Sequence, residues 1–188
     1  MHRPPGICKT ARIPALTVAL ALSCAAASND RGNWRDTLRD RLPLYGHRNW
    51  IVVADSAYPA QARPAIETVV ADEDQTVVLQ EVLRELANSK HVRPIPYTDS
   101  ELKFLSDEDV PGIEAFRQSL PTLLSNPLSL PHEQIISKLD EAAQLFRVLI
   151  IKTRSTLPYT SVFLQLDCAY WRADSEKKLR ARMGTGQK

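Results

Sequence analysis

Glycine is scarce in this chain, six residues in 188, and none stands in a Gly-x-Gly-x-x-Gly or Gly-x-x-x-x-Gly-Lys loop. That excludes the backbone-cradled phosphate sites of dinucleotide- and nucleoside triphosphate-binding proteins. Cysteine is scarcer, with only Cys8, Cys24 and Cys168, and neither these nor the four histidines fall at metal-ligand spacing. The Gly-x-Ser-x-Gly elbow of α/β-hydrolases is missing. No period of 20–50 residues repeats, which argues against a solenoid. Chemistry in such a chain has to rest on side chains alone, without metal or organic cofactor.

The first 27 residues read as a secretory leader. Arg3, Lys9 and Arg12 make a basic start, Ile13 to Ala27 is apolar, and Ala25-Ala26-Ala27 offers small residues for cleavage before Ser28. The apolar stretch is too short for a membrane span. An exported protein, periplasmic or extracellular, is the expectation; a lipid anchor at Cys24 or a misplaced start with a cytoplasmic product are the alternatives. Without the leader the formal charge falls from +2 to 2 − 3 = −1, since the leader holds three basic residues and no acid. Nothing then argues for a nucleic-acid partner. Cys168 is left as the only cysteine, so no internal disulfide is available, and it reads as a small buried hydrophobe.

The 188-residue sequence carries 44% hydrophobic and 24% charged residues, the balance of an ordinary globular protein. Residues 28–171 are expected to form one domain and 172–188 a basic, solvated tail. Helical periodicity marks 33–44, 75–88, 110–124 (despite Pro121) and 132–143, with Asp72 to Asp74 placed to cap the second of these. Short β-branched runs mark strands at 51–54, 65–70, 145–151 and 159–166. His91 to Tyr97 is extended, and its two prolines place it at an edge or in a bent strand. Residues 98–109 are acidic and turn-prone, and 126–131 is a connector or brief strand. This alternation predicts an α/β domain, one sheet with helices on both faces.

The chain is organised around Gly46-His47-Arg48-Asn49-Trp50-Ile51-Val52-Val53-Ala54-Asp55-Ser56-Ala57-Tyr58-Pro59. Ile51 to Ala54 reads as a strand buried on both faces, and Asp55 at its C-terminal end is where open α/β sheets present polar groups to ligands. Turn chemistry alone would also explain Asp55.

This block resembles the signature of the D-ribose pyranase and L-fucose mutarotase family. A second block, Ile151-Lys152-Thr153-Arg154-Ser155-Thr156-Leu157-Pro158-Tyr159-Thr160-Ser161-Val162-Phe163-Leu164, is similar to its C-terminal signature, Arg-Thr-Gly-Glu followed by Pro-Tyr-Ala-Asn and a strand. The resemblance spans Trp34 to Leu166. It implies a ribose pyranase/fucose mutarotase-like fold, a monosaccharide ligand and a cofactor-free isomerase that interconverts sugar anomers or ring forms. It further implies a homo-oligomer with sites at subunit contacts. A non-catalytic sugar-binding or structural oligomer on the same scaffold is the alternative.

Anomer interconversion is proton transfer, for which histidine is the natural tool and one or two placed groups, each contributing about 10²–10⁴-fold, suffice. The resemblance assigns His47 as catalytic proton donor and Asp55, His132 and Tyr159 as sugar contacts, with further polar contacts from the backbone of Tyr159, Thr160 and Ser161; His91 matches nothing and reads as structural. Eight extended residues separate His47 from Asp55 by about 26 Å. Both touch one sugar only if the chain bends sharply near Arg48-Asn49 or if two subunits share the pocket. Several positions depart from the family pattern. Asn49 replaces the usual aspartate, Lys152-Thr153-Arg154-Ser155 replaces Arg-Thr-Gly-Glu, Ser161 replaces asparagine, and Asp99 to Pro131 is more elaborate than in compact members.

Overall fold

A computed structural model describes residues 33–185, so the leader reading at 1–27 lies outside the described residues. Helix α1 (Trp34–Arg41) is capped by the Asn33 side chain, which accepts from the Arg35 N–H, and runs on into a 3₁₀ turn, Leu42–Leu44. Then follow β1 (Trp50–Ala54), β2 (Ile66–Val70), α2 (Gln75–Asn88) and β3 (Val92–Asp99). A 3₁₀ helix, Ser100–Phe104, leads to α3 (Ile113–Leu123), β4 (Leu128–Leu130) and α4 (His132–Ala142). The described chain ends with β5 (Val148–Lys152), β6 (Val162–Cys168) and α5 (Ala173–Thr185). Among the described residues no helix is long and apolar enough to cross a membrane.

The six strands form one mixed sheet in the order β2-β5-β1-β6-β3-β4. β1 pairs in parallel with β5, β5 with β2, and β3 with β4, while β6 runs antiparallel to both β1 and β3. Five strands therefore point the same way and only β6 is reversed. The C-terminal ends of β1, β3, β4 and β5 share one edge of the sheet with the start of β6.

β1 is central, and all five of its residues are buried. Ile51 and Val53 turn to a face covered by α1, α2 and α3, through Leu38, Leu79, Val82, Ile113 and Phe116. Trp50, Val52 and Ala54 turn to the other face, where the helical side chains come from α4, Ile135 and Leu139. Burying each aliphatic side chain is worth roughly 1.5–3 kcal/mol, so a strand buried on both faces anchors whatever its end carries. The expected α/β architecture with helices on both faces is observed.

Two expectations are corrected, the cap at Asp74 and the burial of Cys168. Asp74 occupies the N-cap position of α2 but does not cap it; its carboxylate accepts from Arg154 Nε at 2.9 Å, tying α2 to the β5–β6 loop. Residues 173–185 are helical, although their side chains are mostly solvated as expected. Cys168 is half-buried. The prolines of β3 sit where anticipated: β4 pairs only with Tyr97, Thr98 and Asp99, leaving the edge beside Pro94 and Pro96 without a partner strand.

Candidate functional site

The common C-terminal edge gathers most of the expected site. Asp55 follows β1 and is held from two sides. Its Oδ1 accepts from Ala57 N–H at 2.9 Å, and its Oδ2 accepts from the Ser161 hydroxyl at 2.9 Å. Ser161 also accepts from the Asp55 N–H at 3.2 Å, so the two residues lock β1 to the start of β6. A carboxylate has further lone pairs, and Asp55, half-exposed, retains acceptor capacity toward solvent.

Tyr159 stands in the turn before β6 with φ 57°, a left-handed conformation rare for a bulky residue. Its ring is 39% exposed and meets His132, at the N-terminus of α4, edge to face with centroids 5.8 Å apart. The loop that presents Tyr159 is tied down on both sides. Thr153 bonds Ala54 O through N–H and hydroxyl, and Ser56 N–H reaches Ser155 O. Arg154 N–H reaches Glu73 O. Glu73 in turn takes a two-point ion pair from Arg35 and a bond from Trp34 Nε1; the Arg35 bonds, ahead of the Trp34 bond, hold its carboxyl down at about 2.

The side chain of Thr160 faces inward. It is buried, and its hydroxyl bonds Leu157 O at 2.7 Å and Gln75 Oε1 at 3.0 Å, while its carbonyl accepts from Gln75 Nε2. This side chain braces the loop from inside and has no free polar group for a ligand.

His47 lies elsewhere on the sheet. The chain does turn there: Asn49 N–H bonds Gly46 O, Gly46 N–H bonds Asn49 Oδ1 at 2.8 Å, and Arg48 has φ 76°. That turn leaves exposed His47 at the N-terminal end of β1, beside Arg93, Asp167, Trp171 and Glu176. Asp55 lies at the opposite end, and β1 alone spans about 16 Å. Within one chain the expected donor and the expected sugar contacts are on opposite edges of the sheet. Asn49 uses its amide where an aspartate could not, donating Nδ2–H to Arg147 O at 3.1 Å. His91 is structural as expected, its ring nitrogens meeting Ser89 Oγ and the carbonyls of Leu42 and Tyr45.

Two acids at the end of β3 complete the corner. Asp99 is buried, and burial, partly offset by the neighbouring His132, pushes its carboxyl up to about 6. Its Oδ2 lies 3.1 Å from His132 Nδ1, yet the two are out of line for a regular hydrogen bond. Among the described residues the buried side-chain polar atoms without a hydrogen-bond partner are both Asp99 oxygens, Ser129 Oγ and His132 Nδ1, all in this one corner. Glu101 accepts the His132 backbone N–H on both oxygens, at 3.0 and 3.2 Å. Burial works against its charge, but the bonds from the His132 and Glu101 N–H groups and from Ser100 hold its carboxyl below the usual range. Sequence reading missed both acids, because they open a stretch in which Asp107, Glu108 and Asp109 are equally acidic and exposed. The three-residue strand β4, which brings His132 alongside β3, was the one weak signal.

A buried carboxylate, an imidazole, a phenol and a half-exposed carboxylate thus line one edge; such a set accepts and donates protons and hydrogen bonds to polyhydroxylated molecules.

Among solved structures the chain is similar to RbsD of Bacillus subtilis in complex with D-ribose, at 22% identity and TM-score 0.48, over 70% of this chain and 91% of that one. It is similar to FucU of Bifidobacterium longum at 14% identity and TM-score 0.46, over 70% and 94%. It is similar also to the fucose mutarotase of Streptococcus pneumoniae in complex with L-fucose at 18% identity and TM-score 0.45, over 70% and 89%. These names are those of the family that the two sequence blocks resemble. No family model matches the chain, and no curated protein matches it.

Proposed function

We propose that the C-terminal edge of the sheet binds a monosaccharide and that the protein interconverts its anomers or ring forms by proton transfer, without a cofactor. The observation that carries this reading is the convergence of Asp55, Asp99, His132 and Tyr159 on one edge, with the His132 ring between Asp99 and Tyr159 and Asp55 tied to Ser161, two residues beyond Tyr159. The reaction balances with protons alone. A base takes the proton of the anomeric hydroxyl, the bond between C1 and the ring oxygen breaks, and an acid protonates that oxygen. The open-chain aldehyde then turns and closes by the reverse steps. Asp55 and Tyr159 hold sugar hydroxyls beside His132, and Ser161 keeps Asp55 in place.

In this reading His47 is the acid and comes from a second copy. The two edges are unlike surfaces, so a site that joins them is a head-to-tail contact, the kind from which closed rings are built when the rotation between copies closes. Saturation-transfer NMR on D-ribose, L-fucose, D-galactose and D-glucose tests the activity; anomer exchange above the buffer rate, lost in His47→Ala, is expected. Mixing inactive His47→Ala with inactive Tyr159→Phe tests the shared site, because mixed contacts contain one intact pair. No recovery on mixing rejects the inter-subunit arrangement.

The exposure of His47 away from the other groups favours a second reading, a sugar-binding protein without turnover. Binding in the same NMR experiment with no exchange selects it. We also propose that the protein is exported; N-terminal sequencing of the product from its native host, expected to begin at Ser28, checks this.

A further inference from the structure

The carboxylate of Asp99 is sealed off from solvent, with 0% of its side chain exposed, whereas the ring of His132 is 32% exposed. Nothing that binds at the surface can touch Asp99 without a rearrangement, but anything at the edge beside Tyr159 can touch His132. The carboxylate is not held for its own sake either. A buried structural carboxylate is ordinarily saturated with hydrogen bonds, and here neither oxygen has a regular one. Its nearest donor is Nδ1 of His132, 3.1 Å away and out of line for a regular hydrogen bond.

Other contacts hold the same histidine. Glu101, two residues beyond Asp99, fixes its backbone N–H with both oxygens, and Tyr159 packs against its ring. The connection from β3 into the 3₁₀ helix thus delivers one carboxylate to the ring and another to the main chain of a single residue. The groups facing this pair are Ser129 on β4, Tyr58 in the β1–β2 loop and Asp55 at the end of β1. Glu101 is a further acid beside the pair, and none of these is a cation. Lys103 and Arg117 line the cleft that Asp99 also borders, but Arg117 is held by the carbonyls of Leu102, Lys103 and Leu105, and the Asp99 carboxylate is buried away from that cleft.

An acceptor at Nδ1 decides which imidazole nitrogen carries the proton, and so what the other one offers. We propose that Asp99 is a positioning residue that keeps the His132 proton on Nδ1, leaving Nε2 as the unprotonated atom presented to a ligand beside Tyr159. This rests on the sugar-site reading for the identity of the ligand but not for the state of the ring. An Nε2 lone pair accepts a hydroxyl proton, so the site recognises a ligand that donates there, such as an anomeric hydroxyl. It would not accept a carbonyl or ether oxygen at that point.

The test uses full-length ¹⁵N-labelled protein and long-range ¹H–¹⁵N correlation of the His132 ring at about pH 8, above the ordinary imidazole range. Wild type is expected to show the Nδ1–H tautomer. In Asp99→Asn, whose amide can either accept or donate, and in Asp99→Leu, the ring is expected to shift toward Nε2–H. Asp99→Glu should retain Nδ1–H in part. A wild-type ring already in the Nε2–H form, or one unchanged in Asp99→Leu, overturns the proposal. Should Asp99→Leu not fold, the wild-type ring still decides it, because an Nε2–H form there contradicts the proposal.

Anomer exchange supplies the second arm. Removing a group that orients a working imidazole costs about 10–100-fold, by analogy with histidines oriented at metal sites. The loss should fall in kcat with KM little changed, and Asp99→Glu should recover part of it. Absence of exchange in wild type with every sugar sinks the isomerase reading while the tautomer still decides Asp99. Exchange that survives Asp99→Asn at full rate sinks the role of Asp99 and leaves that reading standing.

Discussion

The two ends of β1 carry the same kinds of residue and treat them in opposite ways. At the N-terminal end, exposed His47 lies in a cleft with Arg93 and Asp167, where the arginine grips one carboxylate oxygen at 3.0 and 2.6 Å. At the C-terminal end, Asp99 is buried beside His132 and finds no well-aligned donor. Backbone strain does not distinguish the two, because Arg48 at one end and Tyr159 at the other both have positive φ. Unsatisfied buried polarity does. A fold tolerates such groups where they serve a site, since each costs stability that packing has to offset.

The largest test asks whether the second face of the sheet holds the C-terminal corner together. Leu139 of α4 is buried under the corner, and α4 supplies the helical side chains packed on that face. Leu139→Ala is expected to lower the unfolding free energy by about 2–5 kcal/mol in urea titrations, through lost burial and the cavity left behind. His132 begins the same helix, so its ring signals should broaden well before global unfolding. A variant that loses stability while the His132 ring stays sharp would show that Glu101 and Asp99 hold the corner without α4.

The next test turns on Asp99 and pH. Burial puts its carboxyl at about 6 in the folded chain, above the ordinary range near 4. Between these values the folded state holds a proton that the unfolded state has released. Its favourable contribution is therefore complete below about pH 4 and is lost as pH rises through 6. Two units correspond to about 3 kcal/mol. Asp99→Asn should match wild type near pH 4 and exceed its stability above pH 6 by up to that amount, read from denaturant midpoints. Glu73, held at about 2, acts on the acid side: its contribution is present above the ordinary glutamate range and lost as pH falls toward 2. It is common to both proteins and cancels. Equal stability of the two proteins at every pH would mean that Asp99 finds its partners in solution.

Most of the scaffold was legible because its signals are local. α2 runs over the residues its apolar stripe marks, and β1 is the β-branched run plus Trp50. Asp55, Ser161, His132 and Tyr159 came with the resemblance and lie on one edge. The rest depends on tertiary placement. Asp99 becomes special only because β4 and α4 fold over the end of β3, which no neighbouring residue announces. Thr160 reads as a backbone contact beside Tyr159, and in the loop before β6 its side chain turns inward to Gln75. His47 stays at the opposite edge because a five-residue strand separates it from Asp55.

A smaller effect is expected from the turn at Tyr159. A non-glycine residue in the left-handed region costs about 1–2 kcal/mol, and asparagine bears it better. Tyr159→Asn should therefore gain up to about 1 kcal/mol while losing the ring that meets His132. Arg48→Asn should gain similarly at the other end of the strand. Their thermal midpoints should rise together, but only Tyr159→Asn should move the His132 ring resonances. If Arg48→Asn moves them too, the two ends communicate through β1 and are not independent surfaces.

The smallest effect belongs to the N-terminal edge itself. Arg93 and Asp167 are directly opposite on β3 and β6, with side chains 42% and 34% exposed. Solvent screens such a pair, and cross-strand charge pairs are worth about 0.2–1 kcal/mol. A double-mutant cycle with Arg93→Ala and Asp167→Ala should return a coupling in that range, and smaller still at 0.5 M salt on the order of a 4 Å Debye length. The proposed ring gives this small number a use. If a second copy buries the N-terminal edge against a C-terminal edge, solvent is excluded and the coupling should grow when protein concentration is raised past the point of assembly. A coupling that stays below 1 kcal/mol through assembly would mean that the edge bearing His47 remains open to water, and that no partner site is built on it.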